Sequence, residues 1–256
     1  MRKLGLRLLA LLLLISTAPA RAEAITVMCS GGFTAALEAL TPVYTRQFGD
    51  SVRIVLGPSM GTSPTAIPER LRRGEAADVV IMVGSALDAL AADRVVIAAT
   101  RVDLADSRIA MAVKAGAAKP DISTVENFKK ALREAKSIAY SDSASGVYIE
   151  REMYQRLGLA AELQPKSRMI VAERVGDVVG RGQAEIGFQQ LSELKASKGA
   201  EIVGLIPEAV QKITPFSAAV SSRSAAPKAA TAFIQFLASP AARAAIVESG
   251  LDPRGK

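Results

Sequence analysis

A unit of apolar strand, polar turn and helix recurs along the chain, and it limits the folds that are available. The strand-like segments are residues 25–29, 52–56, 79–83 and 137–140. Each leads into a turn rich in serine and glycine, and apolar residues at helical spacing follow the turn. Strands that alternate with helices in this way predict an α/β fold with mainly parallel sheets. Ligands of such folds bind beyond the carboxyl ends of the strands, where all four turns lie.

A change in composition near the middle of the chain predicts two lobes. A strand at 108–113 runs into a connector at 114–120 that is rich in Gly, Ala, Lys and Pro, and a second crossing strand is expected at 212–220. Two crossings imply two hinge strands and a cleft between the lobes. We predict lobe I from residues 23–107 and 217–256, and lobe II from residues 108–216.

The first 22 residues have the pattern of a secretory signal peptide. Three cations, Arg2, Lys3 and Arg7, precede an apolar run at 8–15, and small residues around Pro19 offer cleavage positions. The run is too short for a membrane anchor. We expect export to a bacterial periplasm and a soluble mature chain.

Charge and composition exclude several classes of function. The net charge of +7 includes four cations of the signal segment, so the mature chain carries only about +3, which argues against a nucleic-acid partner. Histidine is absent, which removes the commonest general base and the usual transition-metal ligand. Any chemistry must therefore use Asp, Glu, Lys, Tyr or backbone groups, and we expect no metal.

The stretch YSDSASGVY at 140–148 is the strongest candidate for an anion site. A strand ends here and a helix begins. Unpaired backbone N–H groups, the positive end of the helix dipole and the serine hydroxyls would therefore lie close together and could bind an anion. The alternative is a helix cap, in which Ser143 or Ser145 satisfies the helix start and nothing binds.

Motifs over the whole mature chain resemble the periplasmic molybdate-binding proteins of ABC importers. They are CSGGF, GPSMGTS, AADVVIMVGSALDAL, SDSASGVY and AEIGFQQLSEL. The resemblance implies a two-lobed periplasmic-binding-protein fold that holds an oxyanion with hydroxyls and backbone amides. The ligand contacts that it implies, together with their neighbours in the turns, are Ser30, Gly31, Ser59, Met60, Ser85, Ser143, Ser145, Arg174, Val175, Gln189 and Gln190.

This chain departs from that pattern in ways that favour a larger, more anionic ligand. Gln190 stands where the family commonly has a tyrosine, and Arg174 adds a cation. The phrases PSMGTSPTAIPERL, ADVVIMVGSALD, AYSDSASGVY and GFQQLSELK more closely resemble the aconitate isomerases, exported proteins of the same fold. This resemblance implies interconversion of cis- and trans-aconitate by a cofactor-free allylic proton shift.

Three residues are candidates for moving the proton. Asp142 and Glu173 are carboxylates in the predicted ligand turns, although capping a helix or solvating a turn is the commoner use of such residues. Tyr148 lies on the first turn of the helix after the serines, where the positive helix end is expected to lower the pKa of its phenol. The alternative for Tyr148 is packing. We predict that Tyr148 and Asp142 act together.

Two functions remain open at this point. The first is an isomerase acting on aconitate or a similar polycarboxylate. The second is a non-catalytic receptor for molybdate or an organic acid, whose partners would be the membrane subunits of an ABC importer. Closing two lobes on a small anion serves both functions. In either case we expect a monomer.

Overall fold

The computed structural model describes residues 24–254, and the predicted signal segment lies outside this range. The strands are β1 (Ala24–Cys29), β2 (Ser51–Leu56), β3 (Val79–Val83), β4 (Val102–Ser107), β5 (Ile109–Lys114), β6 (Ile138–Ser141), β7 (Ser167–Ile170), β8 (Ile186–Gln190), β9 (Ala200–Leu205), β10 (Thr214–Val220) and β11 (Asp252–Pro253). The helices are α1 (Gly31–Phe48), α2 (Ile67–Arg72), α3 (Gly84–Ala92), α4 (Val125–Glu134), α5 (Ala144–Tyr148), α6 (Tyr154–Arg156), α7 (Ala160–Leu163), α8 (Val175–Gly180), α9 (Leu191–Lys195), α10 (Pro227–Leu237) and α11 (Arg243–Glu248).

The strands form two sheets, as expected for a two-lobed α/β protein. The first sheet has the order β11-β4-β10-β3-β1-β2 and the second has the order β7-β6-β8-β5-β9. Strand β1 is parallel to β2 and β3, and β6 is parallel to β7 and β8. The remaining pairs, made by the strands next to the two chain crossings and by β11, are antiparallel. The chain therefore passes from sheet to sheet between β4 and β5 and returns before β10, while the exact lobe boundaries stay a prediction.

Each sheet has its own hydrophobic core. Around the first sheet, Phe33 and Leu37 of α1 pack with Phe233 and Leu237 of α10. Around the second sheet, the buried side chains include Phe128, whose ring meets that of Phe188 edge to face at 5.9 Å. Apolar burial is the main stabilising term in folding. Two separate cores leave the space between the sheets available for a ligand.

Polar contacts hold the two crossing segments side by side. The Gln211 side chain accepts a hydrogen bond from the Ile109 N–H (2.8 Å) and donates one to the Ile109 carbonyl (3.0 Å). The Arg108 guanidinium pairs with Asp252 at 2.9 Å and with Glu208 at 3.3 Å. These contacts join both crossings to the C-terminal strand.

The helix that follows β6 is interrupted by a π turn. Residues Ile149–Met153 separate α5 from α6, and the Tyr154 N–H donates to the Ile149 carbonyl five residues back. A π turn changes the register of the residues on each face of a helix. Tyr148 and Met153 consequently share the face that packs into the second core.

Within residues 24–254, no single helix has the length and apolar character needed to cross a membrane. The helices Pro227–Leu237 and Pro240–Glu248 meet those criteria only as a pair, which is bent by 62°.

Candidate functional site

A cavity of about 430 Å³ lies where the carboxyl ends of strands from both sheets meet. This volume lies within the usual range for small-molecule sites. The first sheet contributes the turns after β1 and β2 and the end of β3, and the second contributes the ends of β6 and β8 and the loop after β7. The polar and charged lining residues are Ser30, Thr34, Ser59, Thr65, Ser141, Asp142, Ser143, Glu173, Arg174, Gln189, Gln190 and Glu193.

On the first-sheet side, Ser30 and Ser59 line the cavity, and their hydroxyls differ in hydrogen bonding. Ser30 follows β1, and its buried Oγ has no hydrogen-bond partner among the described residues. Ser59 accepts a hydrogen bond from the Val83 N–H at 3.0 Å, which leaves its own O–H available to a ligand. A buried polar atom without a partner is uncommon in a folded protein. The Ser30 hydroxyl therefore has hydrogen-bonding capacity that no described residue uses.

The serines after β6 form a short hydrogen-bonded chain. Ser141 Oγ lies 2.8 Å from Ser143 Oγ and 3.1 Å from Ser145 Oγ. Ser141 and Ser143 line the cavity, whereas Ser145 is fully buried behind them. A Cβ at Gly146 would overlap the Ser141 carbonyl, so the glycine allows the helix to start directly against the strand end.

The loop after β7 supplies both signs of charge at the mouth of the cavity. Asp142 Oδ2 accepts the Ala172 N–H at 3.4 Å and so holds a residue with a left-handed φ of 57°. Glu173 pairs with Arg181 at 2.6 Å. Arg174 is exposed, and its guanidinium donates to the Ala196 carbonyl at 3.4 Å. The guanidinium therefore lies at the exposed rim of the cavity.

The two glutamines at the end of β8 have different roles. Gln189 Oε1 accepts the Val175 N–H at 2.9 Å, which ties β8 to the start of α8. Gln190 Nε2 lies 3.3 Å from Thr214 Oγ1, while its buried Oε1 has no partner in the described part of the chain. A threonine hydroxyl can donate or accept, so in either orientation of the Gln190 amide one of its two polar groups bonds Thr214 and the other remains without a partner.

Glu193 is a lining residue that was absent from the sequence-based candidates. Its Oε1 lies against Gly31, where a Cβ would overlap it. Burial raises the pKa of Glu193 to about 7, against the lowering effects of the Arg174 charge and a hydrogen bond from Gln189; the Asp142 charge adds to the rise. A carboxyl with a pKa near neutrality can both accept and release a proton at working pH.

A sequence signal for Glu193 exists, although it is weak. The motif GFQQLSELK places a carboxylate three residues after Gln190, on a helix that begins directly at a strand end. Its burial, however, depends on α1, which is remote in sequence.

The structure does not bring Tyr148 to the cavity. Its hydroxyl donates to the Val210 carbonyl at 2.7 Å and accepts from Arg156 at 2.9 Å, inside the second core. The expectation of a lowered pKa was wrong: burial raises the pKa of Tyr148, and the opposing effect of Arg156 does not overcome it. The alternative interpretation, packing, describes this residue.

Four further predicted residues also lie outside the cavity lining. Ser85 is exposed on α3, and Met60 packs against the first core. Ser145 and Val175 are fully buried and support the lining residues Ser141 and Gln189 through hydrogen bonds. The other nine predicted residues all line the cavity; they are Ser30, Gly31, Ser59, Asp142, Ser143, Glu173, Arg174, Gln189 and Gln190.

In the described range, no cluster of three or more Cys, Asp or Glu side chains could hold a metal ion. The cavity instead combines hydroxyls, amides and one guanidinium with a few carboxylates. This chemistry fits a small anion with several oxygen atoms.

Comparison with known proteins gives consistent matches. The model of the family described as bacterial extracellular solute-binding protein matches residues 25–252. An aconitate isomerase from a Pseudomonas species is 52% identical over 250 residues, which are 98% of this chain and 95% of that protein. The periplasmic molybdate-binding protein of Azotobacter vinelandii superposes with a TM-score of 0.71 at 21% identity, over 89% of this chain and 98% of that one.

A further structural neighbour is PEB3, known from Campylobacter jejuni. Its complex with L-phospholactate superposes with a TM-score of 0.68 at 15% identity, over 89% of this chain and 99% of that one. At such identities the structural matches establish the two-lobed fold alone. The family model, by contrast, covers nearly all of the residues of this chain that the structure describes. The chain belongs to the bacterial extracellular solute-binding protein family.

Proposed function

We propose that this protein is an aconitate isomerase that interconverts cis- and trans-aconitate in the cavity between its two sheets. The observation that carries the proposal is the composition of that cavity. Ser30 and Gln190 line it, and each has a buried polar atom without a partner among the described residues; Arg174 stands at its rim, and Glu193, a carboxyl with a raised pKa, lines it as well. The 52% identity to an aconitate isomerase over nearly the whole chain supports the same conclusion.

The substrate is a flat tricarboxylate, and each part of the cavity suits one part of it. Hydroxyls of Ser30 and Ser59 would bind one carboxylate from the first-sheet side, and Ser143 with Gln190 would bind another from the second. Arg174 at the rim would pair with the third. Hydrogen bonds to charged groups contribute about 1.5–3 kcal/mol each, so a few of them hold an anion without a metal.

The reaction requires only proton transfer. Removing a proton from the methylene carbon gives an allylic anion whose charge spreads onto the carboxylate oxygens. Returning a proton to the other end of the allylic system moves the double bond. Fixed donors aimed at the oxygens stabilise this anion, as oxyanion-binding groups do in other enzymes. No cofactor is needed for these steps.

A binding protein of an ABC importer is the second candidate function. It is favoured by the structural neighbours, among them the Azotobacter vinelandii molybdate-binding protein and a putative molybdenum transporter component of Clostridium difficile. Membrane subunits of an importer would then be the partners. In both cases we propose a monomer that reaches the periplasm after removal of residues 1–22.

Competition titration of the purified protein separates the two ligand classes. We expect trans-aconitate or cis-aconitate to displace molybdate, because Arg174 and the amides suit a larger anion than a tetrahedral oxyanion. The titration is followed by an absorbance assay of the same metal-stripped protein with trans-aconitate. Submicromolar molybdate binding with no effect of aconitate would favour the receptor and contradict the isomerase.

A further inference from the structure

We propose that Glu193 is the single acid/base that carries the proton between the two ends of the substrate's allylic system. This inference rests on the proposed isomerase function and adds the group that performs the chemistry. It replaces Tyr148 and Asp142 as the expected proton-transfer pair.

The position of Glu193 is set by the contact between the two halves of the molecule. The residue lies on α9, directly after β8 of the second sheet, and its Oε1 lies against Gly31 at the start of α1 on the first sheet. The adjacent Ser192 hydroxyl donates to the Gly32 carbonyl at 2.7 Å and fixes this contact. A ligand held by donors from both sheets is therefore within reach of the Glu193 carboxyl.

The other two carboxylates that line the cavity, Glu173 and Asp142, already form contacts within the protein. Glu173 forms an ion pair with Arg181 at the exposed mouth, and Asp142 accepts the Ala172 N–H in the loop after β7. Glu193 forms no ion pair within 4 Å in residues 24–254. Its carboxyl thus remains available to a substrate.

The groups around Glu193 keep both protonation states accessible. Arg174 from the start of α8 and Gln189 from β8 favour the ionised form, whereas burial and Asp142 from the end of β6 oppose it. The facing start of α1 carries no acidic residue in its first turn. A base works best when its affinity for protons matches the working pH.

The proposed step is balanced without an oxidant or reductant. The ionised Glu193 takes a proton from the substrate methylene, so that a C–H bond breaks and an O–H bond forms. The electron pair delocalises over three carbons and the attached carboxylates. Glu193 then returns the proton to the far carbon of the allylic system, and its O–H bond breaks as the new C–H bond forms.

The test substitutes Glu193→Gln, which keeps the size and hydrogen bonds of the side chain and removes its basicity. We expect kcat to fall by about 100-fold or more, within the range for removal of a general acid/base, while KM changes little. Glu134→Gln on the exposed face of α4 serves as the matched control and should retain wild-type kcat.

Wild-type kcat/KM should fall about tenfold per pH unit below pH 7, where Glu193 is protonated.

A label-transfer experiment gives a readout that a purely structural role would not affect. Aconitate deuterated at the methylene carbon is converted in ordinary water, and a single shielded carboxyl should return part of the deuterium to the other end of the substrate. Complete washout of deuterium in the first turnover would contradict the single-base proposal, as would a Glu193→Gln variant with unchanged kcat.

Two results distinguish a failure of the Glu193 proposal from a failure of the isomerase proposal. If the wild type shows no turnover at all, the isomerase proposal fails. If the wild type turns over and Glu193→Gln does so equally, only the role of Glu193 fails. Should the glutamine variant not fold, Glu193→Asp withdraws the carboxyl by one methylene, and a wild-type kcat in that variant would overturn the proposal.

Discussion

Ser30 and Ser59 line the same cavity, but only the Ser59 hydroxyl is hydrogen-bonded within the described chain. Replacing each serine with alanine should therefore have different effects. Ser30 Oγ has no partner in the described chain, so Ser30→Ala should weaken aconitate binding by about 1–3 kcal/mol and leave the stability of the ligand-free protein nearly unchanged. Isothermal titration and thermal melting measure the two quantities.

The comparison variant is Ser59→Ala. Ser59 accepts the Val83 N–H, so we expect this variant to lose both ligand affinity and stability, because it leaves a buried N–H unpaired. Unaltered aconitate binding by both variants would show that these serines do not form the anion site.

Because the pKa of Glu193 is raised, the difference in stability between the wild type and Glu193→Gln should depend on pH. Between about pH 4.5 and 7 the folded protein keeps a proton that the unfolded chain releases, so the contribution of Glu193 to stability decreases as the pH rises through this range. Glu193→Gln removes the ionisation. Its melting temperature should therefore exceed that of the wild type by more at pH 8 than at pH 5, and an equal difference at both pH values would contradict the burial of this carboxyl.

Tyr148→Phe should affect stability and not catalysis. The substitution leaves the buried Val210 carbonyl without its donor, which costs about 1–3 kcal/mol of unfolding free energy. We expect kcat to remain close to the wild-type value, since the phenol lies outside the cavity. A large loss of kcat in a variant with normal folding would restore Tyr148 to the mechanism.

Residue-level reasoning from sequence predicted the turns that line the cavity better than it predicted the position of Tyr148. Ser30 and Ser59 could be placed because each follows a recognisable strand, and the carboxyl ends of parallel strands meet at one edge of a sheet. The orientation of Tyr148 was not predictable from helical spacing, because only packing against the second core decides which way the short helix α5 turns this side chain. The position of Glu193 against Gly31 could not be predicted, because α1 is remote from Glu193 in sequence.

At the level of elements, the contact between α1 and α9 determines the geometry of the site. A Cβ at Gly31 would overlap Glu193 Oε1, so Gly31→Ala should displace the carboxyl and lower kcat while the sheets remain intact. Gly204→Ala is the control, because its Cβ would lie 3.7 Å from Ile122 Cδ1, an ordinary contact. Equal kcat in the two variants would indicate that the α1–α9 contact does not position Glu193.

Several elements were predictable from the sequence and others were not. The continuous apolar run at 79–83 became β3, buried at every position, as expected for a central strand. The antiparallel strands β4, β9 and β11 had no comparable signal. Strand β9 is only half-buried, and the two-residue β11 is defined by its pairing with β4, which is distant in sequence.

For the whole molecule, two cores with a shared polar cavity explain how a binding-protein fold can support catalysis. Polar residues from both sheets line the cavity, and helix α9 brings the Glu193 carboxyl to the same space. The family's fold serves transport receptors as well, so function resides in the side chains of the cavity and not in the architecture.

The most direct test of this account is the approach to equilibrium from both directions. Purified, metal-stripped protein is incubated separately with pure trans-aconitate and pure cis-aconitate, and the two isomers are quantified by chromatography against protein-free controls. We predict that both reactions converge on the same ratio of isomers without any added cofactor. Tight binding of aconitate with no interconversion in either direction would contradict the isomerase function and leave a binding protein in its place.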